Sequence, residues 1–378
     1  MKKVLALVVC MCLLVALLAG CAGKKEQSSI KIGVITSLTG ERAQTGVYTK
    51  NAGLIAVDEI NKAGGVLGKK LELVFEDDSG TDAGSVNAFN KLTSTGDIVA
   101  VVGSLYSTMD IAISPLVQKA KVPTLVMGSS MAISKLNNQF MFQNRADDLM
   151  ASELFAKAIV ETLKLKNPAV IHESDSFGQG LANAIEENLA KLGVTVKTDI
   201  VYNKGEKDFT PMLSKIKDAK ADGIIGVSQQ LEAGLIMKQV KSFGLNVPFL
   251  GSTSYCSQIA IDLAKDAAEG VYAIGDFAPT IPLQKGQELV KNYRAKYNAD
   301  PDLPSALTYD SIYNIVTAIK NAKSTEGEAL KNAIASLKNI EGSASIYTFD
   351  ERRVGGKTGL LVQNKAGIPT VIKMIKKD

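Results

Sequence analysis

The sequence of 378 residues is poor in the side chains that most catalytic and metal sites require. It contains one histidine, four cysteines and no tryptophan. A single histidine excludes histidine-rich zinc sites and the usual Ser-His-Asp and Cys-His arrangements. That histidine, His172, ends an apolar run, and we expect it to be packed or hydrogen-bonded rather than a ligand. The sequence therefore predicts no catalytic residue, no metal site and no cofactor.

The chain also lacks an excess of charge of one sign. Its 43 lysines and arginines face 39 aspartates and glutamates, which gives a net charge of +4 at pH 7. Since there is no basic run and no clustered basic surface in the sequence, a nucleic-acid partner is not indicated.

The N-terminus has the pattern of an export signal. Lys2 and Lys3 precede an unbroken apolar run over residues 4–19, which is short for a membrane span and typical of a signal peptide. The run ends in Leu-Ala-Gly-Cys, a motif that resembles the bacterial lipobox. We expect residues 1–20 to be removed, Cys21 to carry a lipid and residues 21–29 to form a polar tether. The alternative is an ordinary signal peptide with an incidental cysteine.

Disulfides are not expected beyond this segment, because Cys256 is the only cysteine after Cys21. The fold must then rely on its apolar core. The chain after residue 20 exceeds the size at which one core usually stops growing, so two domains are expected.

Short apolar runs alternate with helical segments along most of the chain. This pattern favours an α/β fold with parallel strands and helices on both faces of each sheet. We predict strands at 30–35, 71–75, 98–102, 122–127, 169–172, 195–202, 223–227, 248–251 and 271–274. Strand-like segments close the chain at 345–349, 359–362 and 370–375.

Two neighbouring strands end in loops rich in glycine and serine. The strand over 98–102 leads to Ser107, which opens a Ser-x-x-Asp sequence typical of a helix start, and the strand over 122–127 leads to Gly128, Ser129 and Ser130. Ligands of open parallel sheets bind at the carboxyl ends of strands, and helix N-termini favour anions. We therefore expect Ser107 and Ser130, with their backbone amides, to hold a small carboxylate. The alternative is that these serines only cap helices.

Several short segments in order along the chain carry a resemblance to a known family. They include Asp58-Glu59-Ile60-Asn61, Glu76-Asp77-Asp78, Val102-Gly103-Ser104-Leu105-Tyr106-Ser107 and Phe177-Gly178-Gln179-Gly180. The chain resembles the type I periplasmic solute-binding proteins of ABC transporters, in the branch of the leucine/isoleucine/valine-binding proteins. The resemblance implies two doubly wound lobes with parallel central sheets, joined by three crossovers. Lobe 1 would comprise 29–147 plus 277–357, and lobe 2 would comprise 148–276 plus 358–378.

The same resemblance implies positions for a ligand. The family's carboxylate-binding positions fall on Ser107, Gly128 and Ser130, and the predicted site includes Ser129 and Tyr106 from the same loops. Phe177 would form an aromatic wall.

The chain departs from the family at three points of this predicted pocket. Thr45 is small where relatives are often bulky, and Gln229 with Gln230 makes the pocket more polar. Thr253 stands where relatives place the acid that pairs with a ligand ammonium. The candidates to replace that acid are Asp148, Glu173, Glu232 and Asp310, of which we favour Asp148.

The sequence thus predicts a lipid-anchored, monomeric binding component of an ABC importer, which captures a free amino acid and delivers it to a membrane permease. Alternatives are a binding protein for another small carboxylate or amide, such as an aromatic acid or a urea-like amide, and a ligand-sensing module for a receptor. A hydrolase on the same scaffold is disfavoured because no nucleophile–base pair is present.

Overall fold

The first half of the chain builds a five-stranded parallel sheet. The computed structural model describes residues 29–377. In the first sheet the strand order is β2-β1-β3-β4-β5, and every neighbouring pair is parallel. Its elements are β1 (Ser29–Thr36), α1 (Ala43–Lys62), β2 (Lys70–Asp77), α2 (Asp82–Ser94), β3 (Ile98–Val102), α3 (Ser107–Ala120), β4 (Thr124–Val126), α4 (Met131–Lys135) and β5 (Met141–Gln143).

Both faces of this sheet are covered by helices. On β1, Ile32 and Val34 are buried in one cluster with Ala52 of α1, whereas Ile35 belongs to a separate cluster with Phe89 of α2. A strand with helices on both faces must be apolar on both sides, which explains why a central strand such as β3 is a continuous apolar run in the sequence.

The next part of the chain builds a second sheet of seven strands in the order β14-β13-β10-β9-β8-β6-β7. The strands β7, β6, β8, β9 and β10 are parallel, and β13 and β14 add to them as an antiparallel pair. The elements up to β10 are α5 (Asp148–Lys157), β6 (Ala169–Glu173), α6 (Ser176–Lys191), β7 (Thr198–Tyr202), α7 (Thr210–Asp218), β8 (Ile224–Val227), α8 (Gln230–Ser242), β9 (Phe249–Gly251), α9 (Gln258–Ala264) and β10 (Tyr272–Gly275).

After β10 the chain returns to the first sheet and then comes back to the second. Tyr309 and Tyr313 donate hydrogen bonds of 2.5 and 2.7 Å to Glu59 of α1, which fixes the long helix of this part beside the first sheet. With the passage after β5, the chain crosses between the two sheets three times. The remaining elements are α10 (Gln284–Tyr297), α11 (Leu303–Ala322), α12 (Gly327–Ala335), β11 (Ile340–Glu341), β12 (Ile346–Tyr347), β13 (Thr358–Lys365) and β14 (Ile368–Lys376).

The structure corrects the predicted elements at a few points. The second sheet is mixed rather than purely parallel, because β13 and β14 join it antiparallel. The strand predicted over 195–202 begins only at Thr198, and α5 continues beyond Lys157 as a wider turn over Ala158–Leu163. The segment predicted over 345–349 is a two-residue strand that pairs with β11, which was not predicted.

The predicted signal peptide, the lipid at Cys21 and most of the tether lie outside the described residues. Among residues 29–377, no helix combines the length and the apolar character that a membrane span requires.

Candidate functional site

The loops that follow the parallel strands of both sheets line one cleft. Carboxyl ends of parallel strands meet at one edge of a sheet, and here the two edges face each other. The cleft consists of three adjoining cavities. The loops that contribute to it follow β1, β3, β4 and β5 of the first sheet and β6, β7, β8, β9 and β10 of the second.

The three cavities lie in a row, and each neighbouring pair shares lining residues. The outer cavity, of about 130 Å³, and the central cavity share Gln229 and Gln230. The central and inner cavities share Ser129, Arg145, Phe177 and Thr253. The predicted site residues that line the cleft are Thr45, Tyr106, Ser107, Ser129, Asp148, Phe177, Gln229 and Thr253. Gly128 and Ser130 do not line it.

Ser107 is not the N-cap of its helix. It is the first residue of α3, and the N-cap is Tyr106, whose side chain makes no capping hydrogen bond. The Ser107 hydroxyl oxygen instead accepts a hydrogen bond of 3.1 Å from the Ser130 amide. The interpretation of Ser107 as a mere helix cap is therefore wrong, and its hydroxyl hydrogen remains able to donate into the central cavity.

Asp110 explains why Gly128 stays out of the cleft. The two carboxylate oxygens of Asp110 accept from the amides of Ser104 and Gly128, at 3.1 and 2.9 Å. Burial raises the pKa of Asp110 well above its usual range, and these two amides partly offset that rise. A Cβ on Gly128 would lie 2.8 Å from the Asp110 carboxylate, so only glycine fits. The helix does begin at Ser107, as the Ser-x-x-Asp sequence predicts, but Asp110 forms no capping box and instead holds two strand-end loops together.

Ser130 caps a helix and also joins a loop of the first sheet to a loop of the second. Its hydroxyl accepts from the Ala132 amide at 3.2 Å, which caps α4, and donates to the Ser176 carbonyl at 3.1 Å, at the start of α6. The Ser130 amide and hydroxyl are thus occupied, and this arrangement gives Ser130 a role in holding the two lobes together.

Asp148 is the most unusual group in the cleft. Its side chain is 1% exposed, and its Oδ2 atom has no hydrogen-bond partner among the described residues. Burial raises the pKa of Asp148 to about 7, although the Ser129 hydroxyl and the Arg145 charge act in the opposite direction. The buried Oγ1 atom of Thr253 also lacks a partner within residues 29–377 and lines the same inner cavity.

Arg145 and Asp276 form a buried ion pair at the inner end of the cleft. The second Arg145 terminal nitrogen donates to the Met127 carbonyl at 3.2 Å. Burial raises the pKa of Asp276, and the Arg145 charge counteracts it. This pair was not predicted from the sequence. The available signal was position, since each residue follows the end of a strand by one or two residues.

The other acids considered as partners for a ligand ammonium differ in their surroundings. Asp310 is saturated, because its carboxylate accepts from the Ser343 and Ala344 amides and from the Tyr347 hydroxyl, at 2.5, 2.9 and 2.8 Å. It lines none of the three cavities and serves the packing of α11. Glu232 lines the outer cavity and accepts from the Gly205 amide at 3.3 Å.

Glu173 is buried at the end of β6 and lines none of the three cavities. Both of its carboxylate oxygens lack a partner among the described residues. Burial raises its pKa to about 7, with Asp175 and Glu232 adding to the rise and Arg42 opposing it. Asp148 is therefore the acid that both lies in the cleft and keeps a free buried oxygen.

The outer cavity is walled by a small stack of side chains. The Tyr106 hydroxyl lies 3.0 Å from the Thr45 hydroxyl, and the Arg42 guanidinium carbon lies 3.7 Å above the Tyr106 ring. Thr45 therefore fixes the ring that Arg42 stacks on, instead of filling the pocket as a bulkier residue would.

His172 lies away from the cleft, in the second sheet. It is fully buried, with Nδ1 2.9 Å from the Glu173 carbonyl oxygen and Nε2 3.2 Å from an Asp199 carboxylate oxygen. These contacts agree with the packed role predicted from the sequence.

Known proteins with similar sequences are solute-binding proteins, which agrees with a cleft between two sheets. Residues 29–365 match the family described as periplasmic binding protein. The leucine-, isoleucine-, valine-, threonine- and alanine-binding protein of Pseudomonas aeruginosa is 29% identical over 333 residues, which cover 86% of each chain.

Solved structures agree with the fold. The branched-chain amino acid transporter substrate-binding protein LivJ of Streptococcus pneumoniae, solved with isoleucine, has 26% identity and a TM-score of 0.84, covering 92% of this chain and all of that one. A solute-binding protein of Rhodopseudomonas palustris, solved with 3,4-dihydroxybenzoic acid, shares the fold at 22% identity, a TM-score of 0.84 and 93% and 98% coverage. The chain belongs to the periplasmic binding protein family, as a type I solute-binding protein and not an enzyme.

Proposed function

We propose that this protein captures a free amino acid in its cleft as the substrate-binding component of an ABC importer, held at the membrane by a lipid on Cys21. The two lobes, 29–147 plus 277–357 and 148–276 plus 358–378, would close over the ligand as a monomer and present the closed shape to a permease. Relatives named for leucine, isoleucine and valine support an amino-acid ligand. Closure removes the ligand from water and strengthens its polar contacts.

The ligand carboxylate is assigned to the central cavity, at the N-terminus of α3. The first amides of a helix have no partner inside the helix, and the helix dipole favours an anion there. The Ser107 hydroxyl lines this cavity and is oriented by the bond it accepts from Ser130, so its hydrogen can point to the ligand. Ser129 also lines this cavity, but its hydroxyl already acts on Asp148. Gly128 and Ser130 do not line the cavity, but their amides fix the loop by donating to Asp110 and to the Ser107 hydroxyl.

The ligand ammonium is assigned to Asp148 and Thr253, and this assignment carries the proposal. A buried carboxylate oxygen without a partner costs folding free energy of a few kcal/mol, so its presence at the inner end of a cleft indicates a ligand group that completes it. An ammonium group supplies both the charge and the hydrogen-bond donors. Phe177 lies along the central and inner cavities, where it can pack against the ligand's carbon atoms.

A second candidate follows from the pKa of about 7 at Asp148. A carboxyl group that is readily protonated can also accompany a ligand without an ammonium group, such as an aromatic acid or a urea-like amide. In that case the protonated Asp148 would donate a hydrogen bond to the ligand.

A melting experiment separates these two candidates. The purified protein is freed of bound ligand by mild unfolding and refolding, and then melted with each of the twenty amino acids and with a panel of small acids and amides. A specific ligand at about 100 times its Kd should add roughly 2.7 kcal/mol of stability. If only ligands without an ammonium group raise the melting temperature, the amino-acid proposal fails and the second candidate replaces it.

Lipid attachment is tested in cells of the source organism or a bacterial host by labelling with a fatty-acid analogue. Cys21→Ala should abolish labelling and release the protein from the membrane fraction, whereas Cys256→Ala should change neither. Continued labelling of Cys21→Ala would contradict the proposed anchor.

A further inference from the structure

The outer cavity contains hydrogen-bonding groups that nothing in the fold uses. The side-chain amides of Gln229 and Gln230 line it, and neither has a hydrogen-bond partner within residues 29–377. Gln230 is nevertheless only 7% exposed. Two unpartnered amides at one cavity offer both donors and acceptors to its occupant, which favours a polar occupant.

Arg42 adds a fixed donor to the same cavity. Its guanidinium stacks on the Tyr106 ring at 3.7 Å, and Tyr106 is itself anchored to Thr45. No carboxylate lies within ion-pair distance of Arg42 in the described part of the chain. A stacked guanidinium keeps its planar N–H groups in a defined orientation and recognises oxygen acceptors.

The charges of the outer cavity balance each other. Its charged lining residues are two cations, Arg42 and Lys204, and two anions, Glu41 and Glu232. A ligand group with a net negative charge would face Glu232, and one with a positive charge would face Arg42. An uncharged group that both accepts and donates hydrogen bonds is compatible with all four.

On this basis we propose that the outer cavity selects an amino acid whose side chain ends in an uncharged carboxamide. The proposal rests on the amino-acid function proposed above and names its substrate class. The amide oxygen accepts from Arg42, and the amide N–H groups donate to Glu232 and to the Gln230 side chain. Aliphatic side chains would leave these polar groups desolvated and unpaired, and a site built for hydrogen bonds discriminates strongly against such ligands.

Calorimetric titration of ligand-free protein with L-glutamine, L-asparagine, L-leucine, L-glutamate and L-lysine tests this selectivity. We expect glutamine or asparagine to bind at least tenfold more tightly than the other three. Arg42→Met keeps an unbranched chain over Tyr106 but removes the donors, and it should reduce the amide-over-leucine ratio at least fivefold. Gln230→Leu, a second and independent variant, should shift the ratio in the same direction.

Lys50→Met serves as the matched control, since Lys50 is exposed on α1 and lines none of the three cavities. It should leave all five affinities unchanged. Tight leucine binding that neither Arg42→Met nor Gln230→Leu alters would overturn the carboxamide proposal while leaving the amino-acid function intact. Absence of binding by any amino acid would overturn both.

Discussion

The Asp148→Asn substitution tests what it costs to bury a carboxyl group with one unpaired oxygen. Burial raises the Asp148 pKa from 3.8 to about 7, against the opposing effects of Ser129 and Arg145. At 1.36 kcal/mol per pKa unit, keeping the ionised form inside the fold costs about 4 kcal/mol. The unfolded chain ionises near pH 4 and the folded protein near pH 7. The cost therefore grows with pH through that interval and is complete above it.

Between pH 5 and pH 8.5 we expect the wild type to lose about 3 kcal/mol of unfolding free energy relative to Asp148→Asn. Urea unfolding of the ligand-free proteins at the two pH values measures this difference. Subtracting the unfolding free energies of the two proteins cancels the contributions of other buried acids such as Glu173, whose pKa is also raised to about 7. An equal gap at both pH values would refute the reasoning, because the Asp148 carboxyl would then keep one protonation state throughout.

The same variant should weaken amino-acid binding by about 2 kcal/mol, roughly 30-fold, since it removes a charged hydrogen-bond acceptor. Asp147→Asn is the matched control. The Asp147 carboxylate pairs with Arg352 at 2.6 Å and caps α5 through the Met150 amide, outside the cleft. That control should lose stability at neutral pH and keep its affinity, so unchanged binding by Asp148→Asn would contradict the ammonium assignment.

Three further predictions concern the loops around the cleft. Ser107→Ala should weaken amino-acid binding by about 1–3 kcal/mol in calorimetry, and unchanged affinity would mean that the carboxylate binds elsewhere. Ser130→Ala removes the hydroxyl that joins the α4 and α6 loops, so it should raise the ligand's dissociation rate in stopped-flow fluorescence; an unaltered rate would show that this bond does not hold the closed form. Gly178→Ala would place a Cβ 2.1 Å from a carbonyl oxygen of β6 and should lower stability by about 1–3 kcal/mol, whereas Gly180→Ala meets only a hydroxyl at 3.8 Å and should be near neutral in thermal melts.

The fold was predictable because its central strands are apolar on both sides. Segments such as 98–102 and 224–227 are short uninterrupted apolar runs between polar turns, and that pattern depends only on local sequence. The two-residue strand β11 and the antiparallel addition of β13 and β14 were not accessible in this way. β11 pairs with the nearby β12, but each strand has only two residues, which is too short for a periodic signal. β13 and β14 form a local hairpin, whereas β13 joins the sheet through β10, which is distant in the chain, so no local period encodes the direction of that pairing.

The site was predictable in position but not in hydrogen-bond detail. The strand-end argument placed Ser107 at the cleft, because parallel strands place their carboxyl ends together, but Ser130, expected there by the same argument, does not line it. Asp148, which does line the cleft, was proposed from the family resemblance and not from strand ends. The Ser-x-x-Asp spacing correctly located the helix start at Ser107, but it did not predict that the two oxygens of Asp110 accept from two loop amides. Tertiary packing decides which backbone amides the Asp110 carboxylate binds, and residue spacing alone does not show this.

Arg145 links the crossovers to the candidate ligand site. It follows β5, where the chain leaves the first sheet, and pairs with Asp276, which follows β10, where the chain leaves the second. The inner cavity therefore holds one cation and two carboxyl groups, Asp276 and Asp148. These charges balance when Asp148 is protonated, or when Asp148 is ionised and an ammonium group binds its free oxygen. One of these two states is favoured, because an uncompensated buried charge costs several kcal/mol.

Proton and ligand then compete for the same oxygen atom. Since ionisation of the free Asp148 requires a pH near 7, amino-acid affinity should fall about tenfold per pH unit below that value and level off above it. Binding at pH 6 should release close to one proton, which calorimetry in buffers of different ionisation enthalpy measures directly. Asp148→Asn should abolish both the pH dependence and the proton release. An affinity that stays constant from pH 5 to pH 8 would show that the ammonium group does not bind at Asp148.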